Sequence, residues 1–239
     1  MYIFCFTARI FIVYKKNRSV IKMLCFLFSF FISANAFSYV PKTGDLLFQD
    51  EDCGPLCNAI SQVTTGYHNT QINHVALLVF LQDKPEVLEA SGKQVHLTPL
   101  KLFLHRSLDN QQRPRVMVGR LKSPYQHLIP QAVQHALSWQ GKPYNVGFTP
   151  NNNFKEFYCS QLVYDAFRLS NHGKPFFITH NMTFQTKGKT LIAWRNYFKH
   201  SQLPIPEGKK GTNPGMMSRS DKINIIYAYG RFRTVKQSV

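Results

Sequence analysis

The sequence predicts an α+β domain with an antiparallel sheet at its centre. The first observation is an almost unbroken apolar run, Asn73–Leu81, which is too short for a helix of its own and apolar enough for a central strand. The second is the polar turn at 82–85, which leads into a returning strand, Glu86–Ala90. The third is apolar spacing typical of helices in Pro130–Trp139 and in the segment that Tyr158 opens. Strands in the middle of the chain with helices on either side favour antiparallel pairing.

The remaining elements follow from local patterns of apolar residues and turn residues. The other predicted strands are Leu46–Gln49, Gln94–Leu97, Arg115–Leu121 and Ile223–Tyr229. Further helices are expected over Asn58–Val63 and from Thr98 and Pro99 through Leu104, where proline takes the favoured first helical position. The polar segment Gly208–Ser220 predicts a loop that lies over a surface.

Residues 1–36 predict a cleavable export signal. They contain five basic residues and no acid, and an apolar, phenylalanine-rich run over Met23–Ser33 precedes Ala34-Asn35-Ala36, a small-x-small pattern typical of a signal-peptidase site. The run is about half the length that a membrane span needs, so an anchor is less favoured. Met23 is an alternative start, although it would leave the signal without its basic region. Residues 37–239 would then form a single exported domain, periplasmic or secreted.

Charge and composition limit the classes of partner. The chain has 29 Lys and Arg against 12 Asp and Glu, a formal net charge of +17, and 44% hydrophobic residues. It is too apolar for a disordered protein. Because no basic helix with interleaved aromatics and no zinc-finger spacing occurs, nucleic acid is not expected as a partner. An exported protein with this charge is expected near an anionic surface of the cell envelope.

Three cysteines follow the predicted signal, and they fall into two groups. Cys53 and Cys57 are close enough in sequence to form a local disulfide in an oxidising compartment. A metal site would need a second ligand pair, which the sequence does not offer, so neither a metal nor another cofactor is expected. Cys159 is then a free thiol at a loop-to-helix junction, where unpaired backbone N–H groups stabilise a thiolate. The alternative for Cys159 is an inert cysteine packed beneath the helix.

His74 and Glu89 are polar residues in two of the most apolar strands. His74 begins the run that ends at Leu81, so it either caps the sheet against water or faces a cleft. Glu89 is a carboxylate among apolar neighbours and needs a partner if it is buried. A tight turn over 82–85 would place Glu89 opposite Leu78, so contact with His74 would need a bulge or a shifted register. The alternative for Glu89 is a side chain that points to solvent from an edge strand.

Several separated motifs resemble one family of cysteine enzymes. They are Gly44–Phe48, Asn73–Leu77, Leu88–Ala90, Gly141–Tyr144, Phe157–Val163 and Gly211–Pro214. The loop before Tyr144 and the helix start at Cys159 resemble the nucleophile motif of NlpC-type cysteine peptidases. Because the histidine motif precedes the cysteine motif, the chain is similar to the circularly permuted branch, the YaeF/YiiX/YebB-like papain-fold amidases.

The resemblance implies a permuted papain-like fold in which the helix that bears the nucleophile packs against the central sheet. It implies Cys159 as nucleophile, His74 as general base and acid, and Glu89 as the group that orients the imidazole. Tyr144 matches a family tyrosine that either helps bind the oxyanion or serves packing. Asn145, Tyr158 and Gln161 depart from the family pattern, which puts substrate specificity in doubt.

The expected function is therefore an exported cysteine amidase or peptidase that forms a thioester, with cell-wall peptide or another envelope amide as substrate. A second hypothesis uses the same thioester for acyl transfer or lipid deacylation, with the apolar segment Pro175–Ile178 either lining a lipid groove or packing in the core. A third hypothesis is a non-catalytic envelope-binding module in which Cys159 is inert.

Overall fold

The computed structural model describes residues 39–150 and 153–234, so the predicted signal, residues 1–36, lies outside the described residues. Residues 41–239 form one compact unit. A six-stranded sheet with the order β4-β3-β2-β1-β5-β8 lies at its centre, and all of its neighbouring strands are antiparallel. Its strands are β1 (Leu46–Gln49), β2 (His74–Leu81), β3 (Lys84–Ser91), β4 (Gln94–Pro99), β5 (Val116–Leu121) and β8 (Ile223–Ala228). This architecture confirms the predicted α+β class.

The hairpin between β2 and β3 corrects the predicted register. Its turn consists of two residues, Gln82 and Asp83, both with positive φ, as a tight turn between antiparallel strands requires. Leu77 therefore pairs with Leu88, a shift of two residues from the predicted pairing. With this register, His74 and Glu89 lie on the same face of neighbouring strands, and the register between β2 and β3 is continuous without a bulge.

Within residues 39–150 and 153–234, six helices connect and cover the strands. They are α1 (Pro55–Val63), α2 (Leu100–His105), α3 (Ile129–Ser138), α4 (Cys159–Ser170), α5 (Lys189–His200) and α6 (Pro214–Ser218). Short 3₁₀ turns occupy Tyr67–Asn69 and Ser123–Leu128. In the described part of the chain, no helix is both long enough and apolar enough to cross a bilayer.

The main core lies between one sheet face and the helices α3 and α4. Alternate strand residues such as Phe48, Val75 and Leu77 point into it and meet Leu162 and Phe167 of α4. This arrangement places the first residue of α4 near the beginning of β2. Phe176 and Phe177 also pack in this core and do not line the cleft described below, so these two residues of Pro175–Ile178 serve packing.

A second cluster, the satellite core, lies outside the sheet. Met182, Phe184, Trp194 and Phe198 form it together with Ala59 of α1, so α5 packs against α1. The ring of Phe148 contacts Phe184, Trp194 and Phe198 of this cluster at centroid distances between 6.1 and 6.4 Å. It also contacts the rings of Tyr158 and Tyr197 at 5.6 Å. The sequence patterns did not predict α5, because its apolar side packs on this cluster rather than on the sheet.

The predicted loop over Gly208–Ser220 is wrong. Lys210–Gly211 forms strand β7, which pairs with β6 (His180–Asn181), and α6 follows directly. The Asn213 side chain caps α6 by accepting a hydrogen bond from the Met216 N–H, and Thr212 and Ser218 are buried. Polar residues in the middle of this segment are therefore buried and one caps a helix, while Lys209 and Lys210 face water.

Candidate active site

Cys159 is the first residue of α4, and its thiol is free and largely buried. The residues around it fix the start of the helix. Gln161 Oε1 accepts a hydrogen bond from the Asn145 Nδ2 at 3.1 Å and one from the Tyr158 backbone N–H at 3.4 Å. Asn145 and Gln161 are both fully buried and do not line the cleft, so these departures from the family pattern brace the helix start instead of contacting substrate.

Cys53 and Cys57 are joined by a disulfide across the beginning of α1. Both residues border the same cleft as Cys159, yet the catalytic sulfur candidate is not bonded to either of them. The disulfide closes a loop of five residues at the point where the chain leaves β1 and enters the wall of the cleft.

His74 lies between Cys159 and Glu89. Its Nε2 is 2.7 Å from Oε2 of Glu89, and the Cys159 side chain, which lines the same cleft, helps to raise the pKa of the ring. Because Nε2 is occupied by the carboxylate, the other ring nitrogen, Nδ1, is the one left to the sulfur. The histidine is almost completely buried at the start of β2, opposite Gln49 of β1. The structure thus brings the three predicted triad residues together.

Glu89 is fully buried, and its carboxylate accepts hydrogen bonds from three neighbouring side chains. Besides His74, Thr98 Oγ1 donates to Oε1 at 2.6 Å. Arg106 binds both carboxylate oxygens, Nη2 to Oε1 at 2.6 Å and Nη1 to Oε2 at 2.9 Å. This bidentate ion pair supplies the positive charge that compensates the buried carboxylate.

Arg106 and Glu51 are site residues that the sequence analysis missed. Arg106 Nη1 also donates to Glu51 Oε1 at 2.9 Å, so one guanidinium joins two carboxylates. Glu51 lines the cleft beside His74. Arg106 follows α2 and Glu51 follows β1, and the two are 55 positions apart, so no local pattern could indicate the contact. The unusual acidic turn at 50–52 was the only available signal.

The electrostatics favour a protonated imidazole next to an ionised carboxylate. Burial alone would lower the pKa of His74, but the charge of Glu51 and the neighbouring Cys159 and Glu89 side chains together raise it well above 6.5. Burial would raise the pKa of Glu89, but the hydrogen bonds from His74 and Arg106 outweigh it and hold that pKa well below the usual range. Glu89 is therefore an anion, and His74 readily holds a proton.

Tyr144 lies in the same cleft as Cys159. Its backbone N–H donates to the carbonyl of Lys93, and its segment pairs with Phe157, just before the start of α4. Burial, followed by the negative charge of a Cys159 thiolate, raises the pKa of Tyr144 well above 10. The phenol therefore keeps its proton and remains a hydrogen-bond donor.

The cleft in front of Cys159 has a volume of about 410 Å³. Its walls are mostly apolar, and they come from α1 and the satellite core. The wall residues include Leu56, Ile60, Phe148, Met182, Phe184 and Trp194. Among the described residues that line it, Glu51 is the one carboxylate and none is a lysine or arginine, although the chain as a whole is strongly basic.

Comparison with protein families identifies the fold and its chemistry. The model of the permuted papain-like amidase enzymes, the YaeF/YiiX, C92 family, matches residues 40–227. The chain belongs to this family. The match includes β2, β3 and α4, and so all three candidate catalytic residues. The YaeF/YiiX family assignment confirms the predicted permuted papain-like fold and a hydrolase of the amidase class.

Two proteins of Escherichia coli are similar to the chain. The uncharacterised protein YiiX of strain K12 is 31% identical over 153 residues, which are 64% of this chain and 67% of that protein. A crystal structure described as metalloprotein yiiX from strain O157:H7 matches with a TM-score of 0.65 and 21% identity, over 80% of this chain and 98% of that one. The second match shows the fold.

The description as a metalloprotein applies to the Escherichia coli structure. Among residues 39–150 and 153–234 of the present chain, no group of three or more His, Cys, Asp or Glu side chains could hold a metal ion. Cys53 and Cys57 are bonded to each other, and His74 is engaged by Glu89. The donor set of a metal site is therefore not assembled by the described residues.

Proposed function

We propose that the protein is an exported cysteine hydrolase that cleaves amide bonds of the cell envelope with Cys159, His74 and Glu89. One observation carries the proposal. The buried imidazole of His74 lines the same cleft as the free Cys159 thiol, and its Nε2 is hydrogen-bonded to the Glu89 carboxylate. This is the order of nucleophile, base and orienting group that covalent acyl transfer uses.

The first step forms a bond between sulfur and the substrate carbonyl carbon. His74 takes the thiol proton, and the sulfur attacks, so the carbonyl oxygen becomes an oxyanion. The Cys159 backbone N–H lies at a helix N-terminus and can donate to this oxygen. The Tyr144 hydroxyl is the second donor that we propose for this oxygen, because it keeps its proton in the cleft with Cys159.

The second step expels the amine and leaves a thioester. His74 delivers its proton to the leaving nitrogen as the C–N bond breaks. Water then gives a proton to His74 and attacks the thioester, which releases the acid and restores the thiol. Glu89 keeps one tautomer and one orientation of the ring throughout, because its oxygens are held by Arg106 and Thr98.

The apolar cleft supports a second candidate function. Side chains such as Leu56, Ile60 and Trp194 offer a surface for an acyl chain rather than for a polar peptide. With such a chain in place, the same thioester would transfer an acyl group or deacylate a lipid. The difference lies in the substrate and in the acceptor, and the chemistry at Cys159 is unchanged.

The two candidates are separated by product analysis. The protein is incubated with purified muropeptides and, separately, with phospholipid, and new amines or freed fatty acid are identified by mass spectrometry. The amidase proposal predicts new amines from muropeptides, and freed fatty acid alone would favour the second candidate. Product formation that survives Cys159→Ala, or no product from either substrate, contradicts the hydrolase proposal and favours a binding module.

A matched pair of variants on one strand tests the orienting carboxylate. Glu89→Gln removes the anion that holds His74 and should lower kcat by about 10²- to 10⁴-fold. Glu86→Gln makes the same chemical change on β3, opposite Val79 and away from the cleft, and should leave kcat unchanged. Equal effects of the two substitutions would remove Glu89 from the triad.

A further inference from the structure

The helix α5 has an inner side that builds the cleft and an outer side that faces water. Trp194 and Phe198 are buried in the satellite core, and Trp194 and Tyr197 line the cleft. Ile192, Arg195 and Lys199 follow each other at spacings of three and four residues, so they share the opposite side of the helix. All three are exposed, and Ile192 has 56% of its surface accessible.

The segment around α5, residues 185–210, carries a strong positive charge that neighbouring acids do not compensate. Residues 185–210 carry six basic side chains, all of them exposed, and a single acid, Glu207. The six are Lys187, Lys189, Arg195, Lys199, Lys209 and Lys210. In the described part of the chain, no carboxylate forms an ion pair with any of them. Glu207 instead accepts a hydrogen bond from the Phe184 N–H.

Exposed apolar side chains accompany these cations. Ile192 lies between the basic residues of α5, and Leu203 and Ile205 follow in the loop after the helix with 39% and 37% exposure. Val146 is exposed at the edge of the cleft, where its carbonyl accepts a hydrogen bond from the Tyr197 hydroxyl. A dissolved polyanion would neutralise the cations but would leave these apolar groups in water, whereas a bilayer interface accommodates both.

We propose that the outer side of α5 with its flanking lysines, the basic face, docks on an anionic lipid bilayer. Lysine and arginine bind the lipid headgroups, and Ile192 with its apolar neighbours enters the boundary between headgroups and acyl chains. Because the inner side of the same helix lines the cleft, docking holds that wall of the active site next to the membrane. The proposal is independent of which bond Cys159 cleaves.

Vesicle co-sedimentation tests the basic face. The protein used begins at residue 37, since residues 41–239 form a compact unit and the apolar residues before them would bind lipid by themselves. Vesicles are phosphatidylcholine alone or with about one third phosphatidylglycerol. We expect binding to the anionic vesicles only, weakened by salt, and reduced about tenfold or more by Arg195→Glu with Lys199→Glu.

Matched variants make the result specific. Lys84→Glu with Lys101→Glu reverses the same amount of charge at exposed positions elsewhere, and it should retain most of the binding. Ile192→Ser keeps every charge and should weaken binding several-fold even in high salt. Equal loss in the two double variants, equal binding to both kinds of vesicle, or binding to soluble polyglutamate without binding to vesicles would each overturn the proposal.

Discussion

At the scale of single residues, the charges of a few side chains decide which groups of the candidate site are protonated. Glu89 and Glu51 share one guanidinium, that of Arg106, so the cluster keeps an excess negative charge next to His74. This excess favours an imidazolium and therefore a proton that can be passed to a leaving group. Arg106 prevents the opposite outcome, in which a buried Glu89 without compensation would take up a proton itself.

The Glu51 carboxylate should control the titration of His74. Its charge is the largest of the causes that raise the pKa of His74, so Glu51→Gln should lower the midpoint of the His74 titration followed by NMR. Asp52→Asn changes the neighbouring, exposed carboxylate and should leave the midpoint in place. An unchanged midpoint in Glu51→Gln, or equal shifts in both variants, would contradict this assignment.

The raised pKa of His74 also determines how the free energy of unfolding depends on pH. The pKa of His74 is raised in the folded protein, so its imidazolium contributes stability that is fully present below the unfolded value of about 6.5. The contribution is lost as the pH rises through the raised pKa. The difference in unfolding free energy between wild type and His74→Gln should therefore shrink toward high pH, and a difference that grows with pH would contradict it.

Arg106 should matter for stability as well as for the site. Arg106→Ala leaves Glu89 buried with only His74 and Thr98 as donors and should lower the free energy of unfolding by about 2 kcal/mol. This value is discounted because 31% of the Arg106 side chain is exposed. Arg106→Lys keeps the charge but cannot form the bidentate contact, so its loss of unfolding free energy should be smaller than that of Arg106→Ala. Urea unfolding measures both.

The control for Arg106 is an exposed cation on α2, the helix that Arg106 follows. Lys101→Ala should change the free energy of unfolding by no more than about 0.5 kcal/mol. A loss in Arg106→Ala as small as that in Lys101→Ala would mean that the guanidinium does not compensate the buried carboxylate.

At the scale of elements, the sequence predicted the strands and helix starts that depend on local patterns of apolar residues. The strands β1, β2, β3 and β5 were predicted within one or two residues, because apolar runs and period-two alternation are local. The beginning of α4 at Cys159 was predicted for the same reason. The site residues His74, Glu89 and Cys159 came from motifs that sit on these elements.

Elements that depend on tertiary contacts could not be predicted in this way. The side of α5 that holds Trp194 packs against α1, far away in sequence. The short helix α6, with the sequence Pro-Gly-Met-Met-Ser, is largely buried although the segment around it is polar. The register of β2 and β3 depends on whether the turn has two or four residues, which Gln82 and Asp83 decide by adopting positive φ. Arg106 was missed because its partners, Glu51 and Glu89, come from two other segments of the chain.

The disulfide at the start of α1 is a testable device at this scale. It closes a loop with a sequence separation of four, so replacing both Cys53 and Cys57 by alanine should lower the free energy of unfolding by about 2 kcal/mol. Denaturant unfolding under oxidising conditions measures the loss. The difference from wild type should vanish when a reductant is present, and a difference that persists there would show that packing rather than the covalent link is responsible.

At the scale of the whole molecule, the positive charge and the chemistry occupy different surfaces. The described residues that line the cleft include no lysine or arginine, while the segment 185–210 exposes six. The cleft therefore does not attract anionic groups to Cys159, and the basic face is available for a different contact. The order of elements is that of a permuted papain-like enzyme, because the histidine strand β2 precedes the cysteine helix α4 in the chain.

The most direct test of the triad is the rate at which iodoacetamide alkylates Cys159 at about pH 6, where an ordinary thiol is almost entirely protonated. Intact mass spectrometry of the protein that begins at residue 37 follows the reaction without reductant, so that Cys53 and Cys57 stay bonded. We expect rapid alkylation in wild type and a rate about tenfold or more lower in His74→Ala. Equal rates in the two proteins would contradict this expectation.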